Sequence, residues 1–147
     1  AFYGGTDTER RKIILKVLSE KYDLRILQKT FGSTLYKELS KSKIVINIHN
    51  FKDFLLETTR IFELLSLNSS LIISEKAVDQ SEHTYLEKFV DFVNVGDLNG
   101  LMAQIDYYLK SNDAIKEKLH SNKTNISVMN KDKFFDSLYK IMSYGGL

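Results

Sequence analysis

Residues 43–75 read KIVINIHNFKDFLLETTRIFELLSLNSSLIISE, and this stretch decides the fold. Its two ends, Ile44–Ile48 and Leu71–Ile73, are short, nearly continuous apolar runs rich in β-branched residues, the pattern of strands buried on both faces of a parallel sheet. Between them a polar loop around His49 and Asn50 gives way to helical spacing from about Phe54 to Leu67. A strand that ends in polar residues and opens onto a helix N-terminus leaves a crevice with unpaired backbone N–H groups, suited to phosphate oxygens. Arg60 and Glu63 place a cation and a carboxylate three residues apart on that helix.

The flanks extend the same alternation. Phe2–Tyr3 reads as the end of a short strand broken at Gly4-Gly5, after which Thr6 or Asp7 caps a helix with apolar positions Ile13, Ile14, Val17 and Leu18. Tyr22–Gln28 reads as a second strand, Phe31-Gly32-Ser33 as a loop with a cap, and Leu35–Ser40 as a short helix. Beyond Leu71–Ile73 the pattern predicts a helix near Glu82–Lys88, a strand at Phe89–Val93 and a helix from an Asp97 cap to Leu109. The tail from Asp113 to Met142 adds one or two amphipathic helices. The expected fold is therefore α/β: an open, doubly wound, Rossmann-like parallel sheet with helices on both faces and extra C-terminal helices, forming one domain over residues 1–147.

Composition narrows the function classes. With 147 residues, 43% hydrophobic and 27% charged, the chain suits one domain with a real core, and no apolar run approaches the roughly 20 residues of a membrane span. There is no cysteine, which excludes disulfides and thiolate chemistry and leaves the redox compartment undecided. A soluble protein is expected, with the cytoplasm favoured. His83 and His120 lie far apart without the carboxylate or cysteine spacing of a metal site, so no metal site is expected. The net charge of +2 is unevenly spread: ten Lys/Arg face five Asp/Glu in residues 1–50, four face nine in 51–100, and seven face five in 101–147. A basic N-terminal third can attract a phosphate-bearing ligand, but no dense basic run points to nucleic acid. The opening AFYGG, without Met or signal-peptide character, reads as an excised domain.

Three segments, FYGGTDTERRKIILKVL, FGSTLYKELSKSKIVINIH and ETTRIFELLSLNSSLIISE, stand in the order and spacing that resemble the C-terminal, donor-binding half of GT-B glycosyltransferases of the group 1, retaining-like type, over most of residues 2–110. The resemblance implies that a nucleoside diphosphate sugar is the donor substrate, with no separate cofactor. It implies that Glu63 accepts hydrogen bonds from the ribose hydroxyls and that Arg60, Thr58 and Thr59 face the diphosphate, which Gly5, Thr6 and Arg10 approach from the first turn. Phe31 and Gly32, in the segment Lys29 to Gly32, would border the base, and His49 and Asn50 would lie near the transferred sugar or the cleft mouth. Arg60, Glu57 and His49 are the candidates for catalysis on this basis. The acceptor would be held by an N-terminal GT-B half or another domain of the same polypeptide. Two departures stand out: Leu55 occupies the position of the partner glutamate, with Glu57 as the nearby substitute, and Asn68-Ser69-Ser70 replaces a turn glycine.

Blander readings compete for the same residues. On spacing alone, Glu57, Arg60 and Glu63 form a surface ladder of ion pairs at i,i+3, each contributing about 0.2–0.5 kcal/mol. Gly4-Gly5 alone is a turn, and a histidine at a strand end is more often structural than catalytic. Tyr107-Tyr108, Phe134-Phe135 and Tyr139 read as packing residues of the terminal helices. The order of the segments favours a donor-site glycosyltransferase domain over a non-catalytic, degenerate interaction module, and the absence of an acidic cluster after the first strand disfavours a receiver-type domain.

Overall fold

The structure, a computed structural model, describes residues 1–51, 55–79, 81 and 83–128. Among the described residues five strands form one sheet: β1 (Phe2–Tyr3), β2 (Ile26–Leu27), β3 (Ile44–Asn47), β4 (Leu71–Glu75) and β5 (Val90–Val93). All pairings are parallel, in the order β2-β1-β3-β4-β5. Every residue of β3 and β4 is buried, which explains why the apolar residues of these two strands, Ile44–Ile46 and Leu71–Ile73, run consecutively rather than alternating with polar ones.

The helices described are α1 (Glu9–Lys21), α2 (Gly32–Leu39), α3 (Thr58–Leu67), α4 (Leu98–Lys110) and α5 (Asn112–Val128), and they cover the sheet. On one face Ile14, Leu15 and Leu18 of α1 join Leu101, Ile105 and Tyr108 of α4 and Ile115 of α5 over Phe2, Ile44, Ile46 and Ile73. On the other, Leu35 and Leu39 of α2 and Ile61, Leu64 and Leu65 of α3 pack on Tyr3, Val45, Ile72 and Val90. The expected α/β architecture, a parallel sheet with helices on both faces, is thus present. From β1 the chain runs outward to β2, then returns across to β3 and onward to β4 and β5. The strand order reverses between β1 and β3, where open α/β sheets form ligand crevices at the carboxyl ends of their strands.

Several boundaries differ from the sequence reading. The α1 cap is Thr8, whose Oγ1 accepts from the Arg11 N–H, rather than Thr6 or Asp7. With Glu9 as the first helical residue, the buried stripe is Arg11, Ile14, Leu15 and Leu18, and Ile13 turns to solvent. The second strand shrinks to two residues. Residues 83–89 form consecutive turns instead of a helix: the Leu86 and Glu87 N–H groups bond to the His83 carbonyl, and those of Phe89 and Val90 to Leu86, without continuing into an α-helical ladder. α3 starts at Thr58, and the expected start at Phe54 lies outside the described residues, as do Glu82 and the tail beyond Val128 with Phe134, Phe135 and Tyr139. The turn after α3 survives without glycine because Asn68 takes the left-handed C-cap conformation, φ 41° and ψ 38°, which Asn tolerates better than other side chains. Asp97 caps α4 as expected, its Oδ1 accepting from the Gly100 N–H at 2.8 Å.

Candidate functional site

The crevice opens because β1 and β3 part company after their single paired register, Phe2 with Ile46. Beyond Tyr3, the Gly4 N–H turns to the Leu27 carbonyl beside β2. Beyond Asn47, the His49 N–H turns to the Glu75 carboxylate beside β4, at 2.9 Å. The gap between these diverging ends is lined by charge.

Arg60, from the first turn of α3, reaches across it. Its Nη1 donates to Asn47 Oδ1 at 2.8 Å and to Glu57 Oε2, and its guanidinium lies over the Tyr3 ring, 5.0 Å from the centroid. Gly4 holds a backbone φ of +133°, open to glycine and strained for an L side chain, and a Cβ there would stand 3.0 Å from Arg60 Nη2. The first turn therefore needs glycine both for its conformation and for room beside the cation. At 18% side-chain exposure Arg60 still touches solvent.

Arg11, a residue that the sequence reading passed over, organises the floor. Its side chain is 1% exposed. Nε and Nη2 both donate to the Ile48 carbonyl, at 2.8 and 2.5 Å, Nη1 donates to the Gly5 carbonyl at 3.0 Å, and Nη2 pairs with Glu57 Oε1 at 3.2 Å. One guanidinium thus ties the β1 turn, the end of β3 and the start of α3 together. Burial pulls its pKa below the usual arginine value, while the Glu57 carboxylate opposes that shift. The available signal was its place in the stripe 11, 14, 15, 18, where a charged residue sits at an apolar position.

Arg10 and Glu75 form a second brace. Arg10 donates to the His49 carbonyl and pairs with Glu75 Oε1, which also accepts from the Gly96 N–H at 2.9 Å, while Glu75 Oε2 holds the His49 N–H. Glu75 is 3% exposed, so its charge is matched inside the fold rather than by water. The ion pair to Arg10 turns a residue expected near the phosphates toward the β4 end.

The other expected site residues fall into three places. Glu63 lies on the α2 and α3 side, half-buried, where the Tyr3 hydroxyl donates to its Oε2 at 3.0 Å; burial first, and this bond next, raise the Tyr3 pKa. An open groove of about 630 Å³ runs past Tyr3, Tyr36, Thr59, Arg60, Phe62 and Glu63. Arg60 and Glu63 thus border one groove, and Thr59 is exposed at its edge with Thr58 beside it. Gly5 and Thr6 sit in the β1 turn: the Gly5 carbonyl accepts from Arg11 and the Thr6 hydroxyl from Gln28 Nε2. Phe31, 79% exposed, and Gly32 stand at the start of α2, and among the described residues no hydrogen bond or ring contact links them to Arg60 or Glu63. Asn50 is half-buried beyond β3.

Two residues named for catalysis have partners inside the fold. His49 does not face the cleft mouth: its ring is fully buried, Nε2 lies 3.1 Å from the Glu75 carbonyl, and burial lowers its pKa. A buried imidazole donating to a carbonyl braces the loop. Glu57, expected to substitute for a sugar-side glutamate, has one oxygen on Arg11 and the other on Arg60, while Leu55 is 65% exposed.

No family model matches the chain, and no solved structure matches it. It is 32% identical over 117 residues to an uncharacterized protein of Acanthamoeba polyphaga mimivirus, an alignment that covers 74% of this chain and 41% of that protein. The chain thus spans less than half the length of that relative.

Among the described residues no group of three or more His, Cys, Asp or Glu is placed to hold a metal ion, and no helix is long and apolar enough to cross a membrane. Another cavity, of about 360 Å³, lies at the opposite, N-terminal edge of the sheet among Leu18, Tyr22, Arg25, Lys43, Ile44 and Ile105, away from all these groups. The chemistry available at the crevice is anion binding by a held guanidinium, bordered by a carboxylate able to accept from hydroxyls.

Proposed function

We propose that this domain binds a nucleoside diphosphate sugar across the crevice between β1 and β3, as the donor-binding, C-terminal half of a GT-B glycosyltransferase whose acceptor is held by a companion domain. The observation that carries this reading is Arg60: a solvent-touching cation held by Asn47 and Tyr3 at the point where the strand order reverses, with a glycine turn leaving room beside it. The α3 start adds the amides of Thr59 and Arg60, which have no intrahelical partners. Together they favour negative charge, and the same groups would stabilise the charge growing on a departing diphosphate without a metal. Glu63, in the same groove, suits two vicinal ribose hydroxyls because an ionised carboxylate accepts at both oxygens.

Calorimetric titration with UDP, GDP and their sugars tests the reading. Binding of at least one is expected, and no heat from any of them at millimolar concentration would sink it.

A second reading, nucleotide binding without sugar transfer, is favoured by one specific observation: the His49 ring is buried and both Glu57 oxygens are paired, so neither of these two candidate bases stands open at the crevice. Sugar release from a bound donor, followed by chromatography in the presence of candidate acceptors, separates the two. Turnover by the protein refutes the second reading.

A further inference from the structure

Glu57 lies between two guanidiniums that do not depend on it. Arg11 is held by three hydrogen bonds to the Ile48 and Gly5 carbonyls, and Arg60 by Asn47 and the Tyr3 ring. The carboxylate divides its oxygens between them, Oε1 to Arg11 and Oε2 to Arg60. A planar anion bridging two cations is the arrangement in which phosphate oxygens are also bound. The two guanidiniums differ in access: Arg11 is 1% exposed and closed to any ligand, whereas Arg60 is 18% exposed and turned toward the glycine turn.

We propose that Glu57 is a resident counter-ion of the anion site: an arriving diphosphate takes Arg60 from it, and Arg11 keeps it. This rests on the diphosphate reading above and deepens it, giving Glu57 a regulatory role in place of a sugar-side one. The charge count explains why two arginines are needed. With the site empty, one carboxylate offsets two guanidiniums and leaves one net positive charge on this trio. With the site filled, Arg11 and the half-buried Glu57 remain as a neutral pair, so the carboxylate is not stranded when Arg60 turns to the ligand. Without Arg11, the displaced carboxylate would meet the diphosphate unpaired and repel it.

The consequence is that the empty site discriminates against weak or singly charged anions, because each must compete with an internal carboxylate for Arg60. Removing that competitor makes binding tighter, the opposite of what a ligand-contacting carboxylate predicts. The test is calorimetric titration of inorganic pyrophosphate into the wild-type protein and the Glu57→Gln variant, with thermal melts as a check on folding. An affinity about tenfold higher in Glu57→Gln is expected, the scale of one charge-assisted hydrogen bond. Equal or weaker binding overturns the proposal. A second measurement needs no variant: in wild-type protein the Arg60 side-chain ¹⁵N signals should shift on saturation with pyrophosphate while those of Arg11 stay within their line widths. Movement of Arg11 alone, or of neither, overturns it as well. Nucleotide binding and the counter-ion role of Glu57 can be lost separately. Wild-type binding of UDP or GDP with no gain in Glu57→Gln removes the counter-ion role and leaves the nucleotide reading; a pyrophosphate gain without nucleotide binding does the reverse; absence of all binding in both proteins removes both.

Discussion

Replacing Arg11 with methionine should be among the most damaging single changes in this domain. Arg11→Met keeps the apolar stem in the α1 stripe, close to the Phe2 ring that the guanidinium overlies at 5.3 Å, and deletes only the charged fork. That fork donates three hydrogen bonds to two carbonyls, Ile48 and Gly5, in an environment from which water is excluded. Leaving a buried acceptor without its donor costs about 1–3 kcal/mol. Breaking a buried ion pair costs about 3–5 kcal/mol when the surviving charge is stranded. Here Glu57 keeps Arg60, so the second cost applies only in part. About 3 kcal/mol is the expected loss, a large share of the roughly 5–15 kcal/mol that a domain of this kind has. The assay is urea unfolding followed by circular dichroism, with a fall in melting temperature of roughly 6–12 °C as the parallel readout. Arg11→Lys, which keeps the charge but cannot span two carbonyls with a planar fork, should fall between wild type and Arg11→Met. A loss below about 1 kcal/mol in Arg11→Met would show that the carbonyls find other donors, and the brace as described would be wrong.

Further predictions concern the crevice and its supports. Gly4→Ala places a Cβ 3.0 Å from Arg60 Nη2 at a φ of +133°, so it should lower stability by about 1–3 kcal/mol and weaken pyrophosphate binding; an unchanged melt and affinity would refute the close approach. Glu63→Ala should weaken UDP or GDP binding by about 1–3 kcal/mol while changing stability little, since the Tyr3 hydroxyl retains the Arg60 carbonyl at 3.2 Å; unchanged nucleoside affinity would remove the ribose placement. Burial holds the His49 pKa below its ordinary value, so below about pH 6.5 the unfolded chain takes up a proton that the folded one refuses. The stability contributed is complete above that value and is lost as pH falls toward the lower folded pKa, with a slope of up to about 1.4 kcal/mol per pH unit. Urea midpoints measured across this range should show the slope in wild type and lose it in His49→Gln; identical slopes would assign the proton elsewhere.

What could be read from the chain and what could not divides along a physical line. The apolar runs of β3 and β4 and the helical spacing of α3 state the local geometry directly, because a strand buried on both faces has no polar face to show. The α4 cap was equally plain, since Asp97 satisfies a local amide three residues away. Residues 83–89 misled because helical composition does not force a helix where successive turns satisfy the same N–H groups. Glu57, Arg60 and Glu63 look like a surface ladder at i,i+3, and one rung of it exists, the Glu57 to Arg60 pair. The ladder's third member turns away to Tyr3, sixty residues distant in the chain.

The sequence by itself determined the alternation of strands and helices, the parallel character of the sheet and the presence of a polar turn at each strand end, all consequences of short-range periodicity and burial. Only the tertiary structure decided which charges meet. Arg11 pairs with Ile48 and Glu57 across 37 and 46 residues, Arg10 with Glu75 across 65, and His49 folds inward. Nothing in local spacing encodes those partnerships. They follow from the strand order, which brings the turns after β1, β3 and β4 to one edge of the sheet, where a buried charge is stable only beside its opposite.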